Sequence, residues 1–531
     1  MKVSDLIIHC LEVEGVEYVF GIVGQEVLDL ADSLSKSSQI QFVNVRHEQG
    51  AAFMADVYGR LSKKAGVCLS TLGPGATNLL TGIASAQLDH SPVLALIGQA
   101  SVERHHPESH QYVDIVNIFE RATKWTTQIM GSLTVPAVIR KAFRAATMEK
   151  QGSVAIVLPE NFLTQKIAAK PLPINPLPET VPVKETIQAA CTVIQNCMKP
   201  FILVGNGAVR QDAFSELQTF INTLQAPVAH SFMAKGILEK EHPSNYFTFG
   251  FNENDEVLPG IQEADLLITI GLDFVEKLPK NWNEKKIPVL HIDSLPAEIN
   301  EYYPVEIECV GNIKKTLQSF NQLELPAKSW APSGNLKEKI MTAYQINDSQ
   351  TNTNNRSFTM EHILHCIEHV TSENTIVISD VGAHKISIAR TYQPKKPNRL
   401  IISNGLASMG IAIPGSIGAK LACPDDLVIC ITGDGGALMN VAEIETAKRL
   451  GLSFIIIVLN DSMLKLEVQQ MVKLFGESYG TAFQNPDFVQ LAASFGIKGT
   501  KASNLDEFEM VLKEALQDLE EIALIEVVMQ N

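Results

Sequence analysis

A glycine-rich turn, Gly433-Asp434-Gly435-Gly436, restricts the possible folds of this 531-residue chain more than any other segment. Apolar runs precede both this turn, at Leu427–Ile431, and the pair Asn460-Asp461, at Phe454–Leu459. Between them, residues 437–450 place apolar side chains at helical spacing. The order strand, tight turn, helix, strand is typical of a parallel sheet, in which the carboxyl ends of neighbouring strands lie side by side.

This unit predicts a site for a metal ion and a phosphate. Asp434 and Asp461 follow neighbouring strands and should converge, while the glycines allow backbone amides at the helix start to approach an anion. Two carboxylates and a diphosphate provide only hard oxygen ligands, which suit Mg²⁺. Taken alone, the same residues are also compatible with a surface loop and an ordinary strand end.

The chain is too long for one hydrophobic core and divides at two segments rich in proline or polar residues. Residues 170–183 contain five prolines, and residues 326–357 end in a polar run from Asn347 to Asn355. The boundaries predict three domains, 1–168, 184–325 and 358–531. Each piece alternates β-branched runs with helical patterns, so the predicted fold class is α/β with three doubly wound parallel sheets.

Composition excludes several classes of function. The formal net charge of −16 argues against nucleic acid as a partner, because no basic stripe is present to neutralise phosphates. No uninterrupted apolar run reaches the ~18 residues of a membrane span, so no membrane partner is expected. The eight cysteines are scattered without a C-x-x-C pair, which favours a reducing compartment and a cytoplasmic location.

Three further turns are modest signals by themselves. Glu48 opens a helical stretch after a strand, where an acid could simply complement the helix dipole. Gly73–Asn78 follows another strand and is either a phosphate-binding loop or a tight turn. Gly205-Asn206-Gly207 is weak evidence for a dinucleotide, since Arg210 stands where a third glycine would have strengthened it.

Taken together and in this order, these motifs make the chain resemble the thiamine diphosphate-dependent decarboxylases and carboligases over essentially its whole length. The resemblance implies pyrimidine-binding, central and diphosphate-binding domains, and it is strongest to the acetolactate synthases, particularly the catabolic type. The matching segments are Phe20–Ile22, Arg46–Ala52, Gly73–Asn78, Ser109–Asp114, Thr123–Trp125, Asn281–Asn283, Ser403–Leu406, Gly433–Gly435 and Asn460–Asp461.

The resemblance also implies roles for individual residues. Glu48 would hydrogen-bond the aminopyrimidine so that the cofactor can lose its C2 proton, and Gln111 would face the bound intermediate. Met409 would hold the cofactor bent, and Mg²⁺ would bind Asp434, Asp461 and the backbone oxygen of Met463. The remaining implied cofactor contacts are Gly24, Gly73, Asn78, Gly382, His384, Gly405, Gly433, Gly435 and Gly436.

The implied reaction joins two pyruvates into 2-acetolactate and CO₂ through a thiamine-bound enamine. Val23, Glu26, Ala383 and the stretch Ser462–Leu466 depart from the pattern of acetolactate synthases. These departures leave open a related decarboxylase, carboligase or oxidase with another donor or acceptor. A nicotinamide dehydrogenase and a non-catalytic relative are the alternatives from other classes.

The resemblance finally bears on flavin and on assembly. Asn281-Trp282-Asn283 resembles the flavin-independent branch, so we expect no FAD. In this family the cofactor lies between the first domain of one chain and the third domain of another. A homodimer or a homotetramer with active sites between chains is therefore expected.

Overall fold

In a computed structural model of the chain, residues 1–275, 277–347 and 358–529 are described, and they form three six-stranded sheets. Every strand pair within the three sheets is parallel. Helices separate most consecutive strands and cover both faces, which explains the nearly continuous apolar runs in the sequence. The prediction of an α/β fold with three doubly wound parallel sheets is confirmed.

The first sheet has the strand order β2-β1-β3-β4-β6-β5. Its order reverses between β1 and β3, where a crevice forms at the carboxyl ends of the strands. The strands are β1 (Tyr18–Gly21), β2 (Gln41–Asn44), β3 (Gly66–Ser70), β4 (Val93–Gln99), β5 (Trp125–Gln128) and β6 (Ser153–Pro159). The helices are α1 (Val3–Val13), α2 (Leu28–Leu34), α3 (Glu48–Ser62), α4 (Pro74–Leu88), α5 (Ile115–Glu120), α6 (Val135–Thr147) and α7 (Glu160–Leu163).

The central sheet has the order β12-β11-β10-β7-β8-β9, which reverses between β7 and β10. The strands are β7 (Pro200–Val204), β8 (Val228–His230), β9 (Asn245–Thr248), β10 (Leu266–Ile270), β11 (Val289–Asp293) and β12 (Val305–Val310). The helices are α8 (Lys184–Asn196), α9 (Asn206–Arg210), α10 (Phe214–Leu224), α11 (Leu258–Ile261), α12 (Ile313–Asn321) and α13 (Leu336–Ala343).

The third sheet, β14-β13-β15-β16-β18-β17, repeats the connectivity of the first. Its crevice therefore lies between β13 and β15. The strands are β13 (Ile376–Ser379), β14 (Leu400–Ile402), β15 (Val428–Gly433), β16 (Ile455–Asn460), β17 (Lys498–Ala502) and β18 (Ala523–Val528). The helices are α14 (Met360–Val370), α15 (Ala383–Thr391), α16 (Ala412–Ala422), α17 (Asp434–Asn440), α18 (Glu443–Arg449), α19 (Lys465–Phe475), α20 (Phe488–Ser494) and α21 (Leu505–Gln517).

Helix α3 is buried between the first and third sheets and joins their cores. Its residues from Gly50 to Gly59 are all buried, and it packs on α4 and on α16. Small residues permit this close packing: a Cβ on Gly82 of α4 would lie 2.4 Å from the Cβ of Ala52, and one on Gly418 of α16 would lie 2.3 Å from the carbonyl oxygen of Met54. The helix that begins at Glu48 is thus fixed by two domains of the same chain.

Two segments differ from the sequence-based predictions. The helical pattern at 437–450 is divided into two helices, α17, which ends at Asn440, and α18. The side chain of Asn440 is held by tertiary hydrogen bonds at the point where α17 ends. The predicted linker 326–357 contains α13, whose Leu336 and Ile340 are buried in an apolar cluster that the central and third domains share. The polar run of that linker from Asp348 onward lies outside the described residues.

The other predicted linker, residues 170–183, forms neither helix nor strand. The domain boundaries proposed from the two linkers stay predictions. Among the described residues, no helix combines the length and the apolar character needed to cross a bilayer.

Candidate active site

Four predicted site residues lie together at the carboxyl edge of the first sheet: Glu48, Gly73, Asn78 and Gln111. Together with Gly24 they form what we call the first-sheet group. Glu48 is the first residue of α3 and is 8% exposed, and its Oε2 accepts a hydrogen bond of 2.9 Å from Nδ2 of Asn78. Gly73 has a φ of +54°, and a Cβ there would lie 2.7 Å from the carbonyl oxygen of Gln111. Gln111 itself is exposed and has a φ of +57°.

Gly24 completes this group through Thr71, the residue after β3. A Cβ on Gly24 would lie 2.5 Å from Cβ of Thr71, so only glycine allows the two turns to touch. The hydroxyl of Thr71 donates a 2.7 Å hydrogen bond to Oε2 of Glu26, which is 7% exposed. A Cβ on Gly75, four residues on, would lie 3.2 Å from Oε1 of Glu48. Two buried carboxylates therefore flank the 71–75 turn.

At the corresponding edge of the third sheet lies an open cavity of about 720 Å³, the third-sheet cavity. Nine predicted site residues line it: Gly382, His384, Met409, Gly433, Asp434, Gly435, Gly436, Asp461 and Met463. Gly405 is not among the lining residues. Its backbone N–H donates a 2.6 Å hydrogen bond to Asp89, and a Cβ there would lie 2.5 Å from Cβ of Leu88, so Gly405 packs against the first domain.

Asp434 is the centre of a hydrogen-bond network at the mouth of β15 and β16. Its Oδ1 accepts a 2.7 Å bond from the backbone N–H of Gly435, and its Oδ2 accepts bonds from the N–H groups of Ser462 (2.6 Å) and Asp461 (3.2 Å). The side-chain amide of Asn485 also donates to Oδ2, at 2.7 Å. Sequence reasoning missed Asn485, because it lies 51 residues after Asp434 in no recognisable motif.

Asp461 lies beside Asp434, as the strand order predicted. Burial, and then the negative charge of Asp434, raise the pKa of Asp461. The ammonium group of Lys465 lies 3.5 Å from Oδ2 of Asp461 and partly offsets this charge. Two adjacent carboxylates that destabilise one another form a set of hard oxygen donors that a divalent cation would stabilise.

A second buried acid, Asp380, fixes the turns around the cavity. Its carboxylate accepts hydrogen bonds from the backbone N–H of Val381 (2.7 Å) and Gly410 (2.8 Å) and from the hydroxyl of Thr432 (3.0 Å). It thereby joins the ends of β13 and β15 to the turn that carries Met409. The methyl group of Met409 lies 3.4 Å from the Cβ position of Gly435. The position of Asp380 directly after a buried strand was a usable signal that the sequence reasoning missed.

His384 provides an unpartnered polar atom in this cavity. Its Nε2 is buried and has no hydrogen-bond partner in the described part of the chain. Burial lowers the pKa of His384 to about 4, so the ring is uncharged at neutral pH. A buried nitrogen without a partner costs free energy, and a ligand that hydrogen-bonded it would remove that cost.

The central domain also contributes to the third-sheet cavity. Residues 251–254 line it and are anchored by Arg390, whose Nη2 donates hydrogen bonds to the carbonyl oxygens of Glu253 (2.6 Å) and Asn254 (3.3 Å). The guanidinium also stacks 4.7 Å from the ring centroid of Phe251. No motif predicts this contact, because it depends on how two domains pack.

Within one chain, the first-sheet group does not reach the third-sheet cavity. No member of that group is among the described residues that line the cavity. One indirect connection is a 3.4 Å hydrogen bond from Nδ2 of Asn440 to Oε1 of Gln49, the residue after Glu48. Asn440 is the last residue of α17, about 9 Å along the helix axis from Asp434.

The Gly205-Asn206-Gly207 turn lies at the crevice of the central sheet, where a dinucleotide would bind in a doubly wound fold. The crevice is filled by the neighbouring turn instead. A Cβ on Gly205 would lie 2.4 Å from the carbonyl oxygen of Gly271, and one on Gly207 would lie 2.7 Å from its Cα. These glycines therefore allow two backbone turns to pack together, and they leave no approach for a phosphate at that point.

Comparison with known proteins identifies three family models that match separate segments of the chain. Residues 1–118, 187–320 and 380–527 match the N-terminal TPP binding, central and C-terminal TPP binding domains of thiamine pyrophosphate enzymes. The chain is 30% identical to the acetolactate synthase of Bacillus subtilis, with 97% of this chain and 90% of the relative covered.

Two further relatives are similar over comparable lengths. The probable acetolactate synthase large subunit of Methanocaldococcus jannaschii is 32% identical, with 97% of this chain and 90% of the relative covered. The acetolactate synthase isozyme 3 large subunit of Escherichia coli is 30% identical, with 97% and 92% covered. The chain belongs to the thiamine pyrophosphate-dependent enzyme family and, within it, to the acetolactate synthase type.

Proposed function

We propose that this protein condenses two molecules of pyruvate into 2-acetolactate and CO₂, using thiamine diphosphate and Mg²⁺. The observation that carries the proposal is the pairing of Glu48 and Asn78 at one sheet edge with the Asp434–Asp461 cavity at the equivalent edge of another. The activity of the similar enzymes agrees with it. When bound, thiamine diphosphate supplies the electron sink that allows a 2-oxo acid to lose CO₂.

The third-sheet cavity fits the diphosphate and its metal. Mg²⁺ would be bound by Asp434, Asp461 and the carbonyl oxygen of Met463, because the negative charge of the two adjacent carboxylates is only partly offset within the chain. Unpartnered Nε2 of His384 would hydrogen-bond the diphosphate, together with backbone amides of Gly382 and the Gly433–Gly436 turn. Met409, which packs beside that turn, would support the thiazolium ring.

The first-sheet group would handle the proton. Glu48 would hold a proton at the pyrimidine nitrogen, and its bond from Asn78 would fix which carboxylate oxygen faces the ring. Gln111 would hydrogen-bond the developing oxyanion or position the second substrate. Gly24 and Gly73 would keep the neighbouring turns close enough for this arrangement.

Because Glu48 and Asp434 do not line one cavity within a chain, we propose that a cofactor lies between two chains, in a homodimer or a homotetramer. Mixing Glu48→Gln with Asp434→Asn protein tests this. In a mixed dimer one site carries both changes and the other carries none, so about a quarter of wild-type activity should return for random pairing. If each site were formed within one chain, the mixture would stay inactive, and each variant refolded alone is the control.

Glu26 is the observation that favours a second candidate function, a related carboligase with a different acceptor. Its buried carboxylate lies at the same 71–75 turn as Glu48, and no lysine or arginine forms an ion pair with it among the described residues. A negative charge there would repel the carboxylate of a second 2-oxo acid. The alternative therefore predicts an uncharged carbonyl compound as acceptor.

Product analysis separates the two candidates. The purified protein is incubated with pyruvate, thiamine diphosphate and Mg²⁺, with and without an aldehyde, and Glu48→Gln serves as the inactive control. The main proposal expects 2-acetolactate from pyruvate alone. A product formed only with the aldehyde would support the alternative, and no acetolactate above the control would refute the main proposal.

We propose further that the protein works without FAD. The support is the closed crevice of the central sheet, where Gly205 and Gly207 contact Gly271. The same contact removes the main reason for a nicotinamide dehydrogenase. An absorption spectrum of the purified protein tests the proposal, because a flavin band that persists through dialysis would contradict it. A cytoplasmic location stays a prediction.

A further inference from the structure

A third-domain acid, Glu443, contacts the start of the helix that carries Glu48. It is the first residue of α18 and is 1% exposed. Its Oε1 accepts hydrogen bonds from the backbone N–H groups of Arg46 (3.0 Å) and His47 (3.1 Å), almost 400 residues away in sequence. Its Oε2 accepts a 2.7 Å bond from the hydroxyl of Thr446, which fixes the rotation of the carboxylate.

The approach of this carboxylate requires a glycine on the facing helix. A Cβ on Gly50, in the first turn of α3, would lie 2.6 Å from Oε1 of Glu443. The carboxylate thus lies against the amino terminus of α3, where the helix dipole favours negative charge. No lysine or arginine forms an ion pair with Glu443 in the described part of the chain, so two backbone amides and one hydroxyl are its hydrogen-bond donors.

Burial raises the pKa of the Glu443 carboxyl, while the three hydrogen bonds act in the opposite direction. A buried acid without a cation is costly, and its position next to Glu48 offers a reason for the cost. His47 is the N-cap of α3 and accepts a bond from the N–H of Gln49, so the residues that Glu443 holds are those that set the direction of the first turn.

We propose that Glu443 is a positioning residue, which fixes the Arg46–His47 backbone and thereby the direction in which Glu48 enters the cofactor site. Glu443 also lies nine residues after Asp434, on the helix that follows α17. Asn440 strengthens this link through its bonds to Gly410 (2.8 Å) and Gln49 (3.4 Å). If cofactors lie between chains, as proposed above, the short segment from Asp434 to Glu443 connects the Mg²⁺-binding turn of one active site with Glu48 of the neighbouring active site.

The direct test is amide hydrogen exchange of cofactor-free protein, followed by mass spectrometry. In Glu443→Ala the amides of Arg46 and His47 lose their acceptor and should exchange at least tenfold faster. Glu443→Gln keeps an acceptor oxygen for both amides and should exchange as the wild type does. The matched control is Glu507→Ala, because Glu507 also accepts a backbone bond, from Ser503, but at the exposed surface of the third domain.

A second variant covers the case in which Glu443→Ala fails to fold. Gly50→Ala keeps the Glu443 side chain, but the added methyl group would push its carboxylate away from the start of α3. The variant should therefore accelerate hydrogen exchange at the same two amides. Unchanged exchange at Arg46 and His47 in Glu443→Ala, or in Gly50→Ala if the first does not fold, would overturn the proposal. Because this readout needs no substrate, it stands even if the proposed reaction is wrong.

Kinetics distinguish positioning from a general structural role. With pyruvate, Glu443→Ala should lower kcat at least tenfold and change KM less than threefold, since the site that binds the substrate is intact. Glu443→Gln should restore most of kcat. A loss of kcat in Glu443→Gln equal to that in Glu443→Ala would show that charge matters and would overturn the positioning role.

Discussion

Arg60 pairs with two buried acids of the first domain, one of which also accepts hydrogen bonds from the third domain, and its removal is the strongest test of how these domains are held together. Its Nε lies 2.7 Å from Oδ1 of Asp56, and its Nη2 lies 2.7 Å from Oδ2 of Asp89. The Arg60 side chain is 7% exposed and both acids are 0% exposed. Asp89 in turn accepts the backbone N–H groups of Asn404 and Gly405, which precede Met409.

Arg60→Met keeps the length of the side chain but leaves two carboxylates in the interior without a cation. Breaking a buried ion pair on one side costs about 3–5 kcal/mol. For a cooperative unit of 150–250 residues, each kcal/mol lowers Tm by about 2–4 °C, so Tm should fall by at least about 6 °C. Burial already raises the pKa of Asp56, so the deficit should shrink as the pH falls and the acids become protonated.

The assay is thermal unfolding followed by circular dichroism, with calorimetry to identify the unit that melts first. Arg104→Met is the control, because its pair with Glu160 is partly exposed (37% and 29%) and should contribute less than about 1 kcal/mol. Adding Asp56→Asn to Arg60→Met should recover part of the loss. If Arg60→Met melts within about 2 °C of the wild type at neutral pH, the assignment of a stabilising buried triad is wrong.

Four other predictions concern the cavity and the pH dependence. Gly435→Ala meets no atom closer than 3.4 Å, so cofactor-free protein should melt normally, while titration calorimetry should find thiamine diphosphate affinity at least tenfold weaker. Gly436→Ala would place a methyl 2.9 Å from the Asp380 carboxylate and should destabilise the protein by about 1–3 kcal/mol in urea unfolding. Burial raises the pKa of Asp255 to about 6, so ionisation of its carboxyl group destabilises the folded state as the pH rises from about 4 to 6 and above. Between pH 5 and 8 the stability of Asp255→Asn should therefore increase by about 1 kcal/mol relative to that of the wild type, measured by urea unfolding. Asp461→Asn should weaken Mg²⁺ binding at least tenfold in calorimetry with the diphosphate present, whereas unchanged affinity would exclude it as a ligand.

The strands were predictable because each is a short apolar run that ends in a turn. The runs before Gly433 and Asn460 became β15 and β16, which pair in parallel register as expected. The helix between them was predicted as one element and is two. Periodicity detects which residues face the core, and it carries no information about a side chain such as Asn440, whose bond to Gly410 accompanies the end of α17.

The glycine motifs were harder to interpret, because the same residue type permits different close contacts. Gly433 lines an open cavity, whereas Gly205 contacts the backbone of Gly271. Nothing local distinguishes the two turns, since both follow a buried strand and precede a helix. Which neighbour fills the space in front of a glycine depends on strand order, and strand order is a property of the whole sheet.

The sequence by itself determined the α/β class, the turns that end the strands, and the acids placed on those turns, since local backbone preference and hydrophobic periodicity are encoded by nearby residues. The convergence of Asp434 and Asp461 was predictable, but only the tertiary structure decided that Glu48 of the same chain does not line their cavity. It also brought Asn485 to Asp434 and Glu443 to the start of α3. A hydrogen bond between residues far apart in sequence forms only after packing has brought them together, and each such residue taken locally is an ordinary polar side chain.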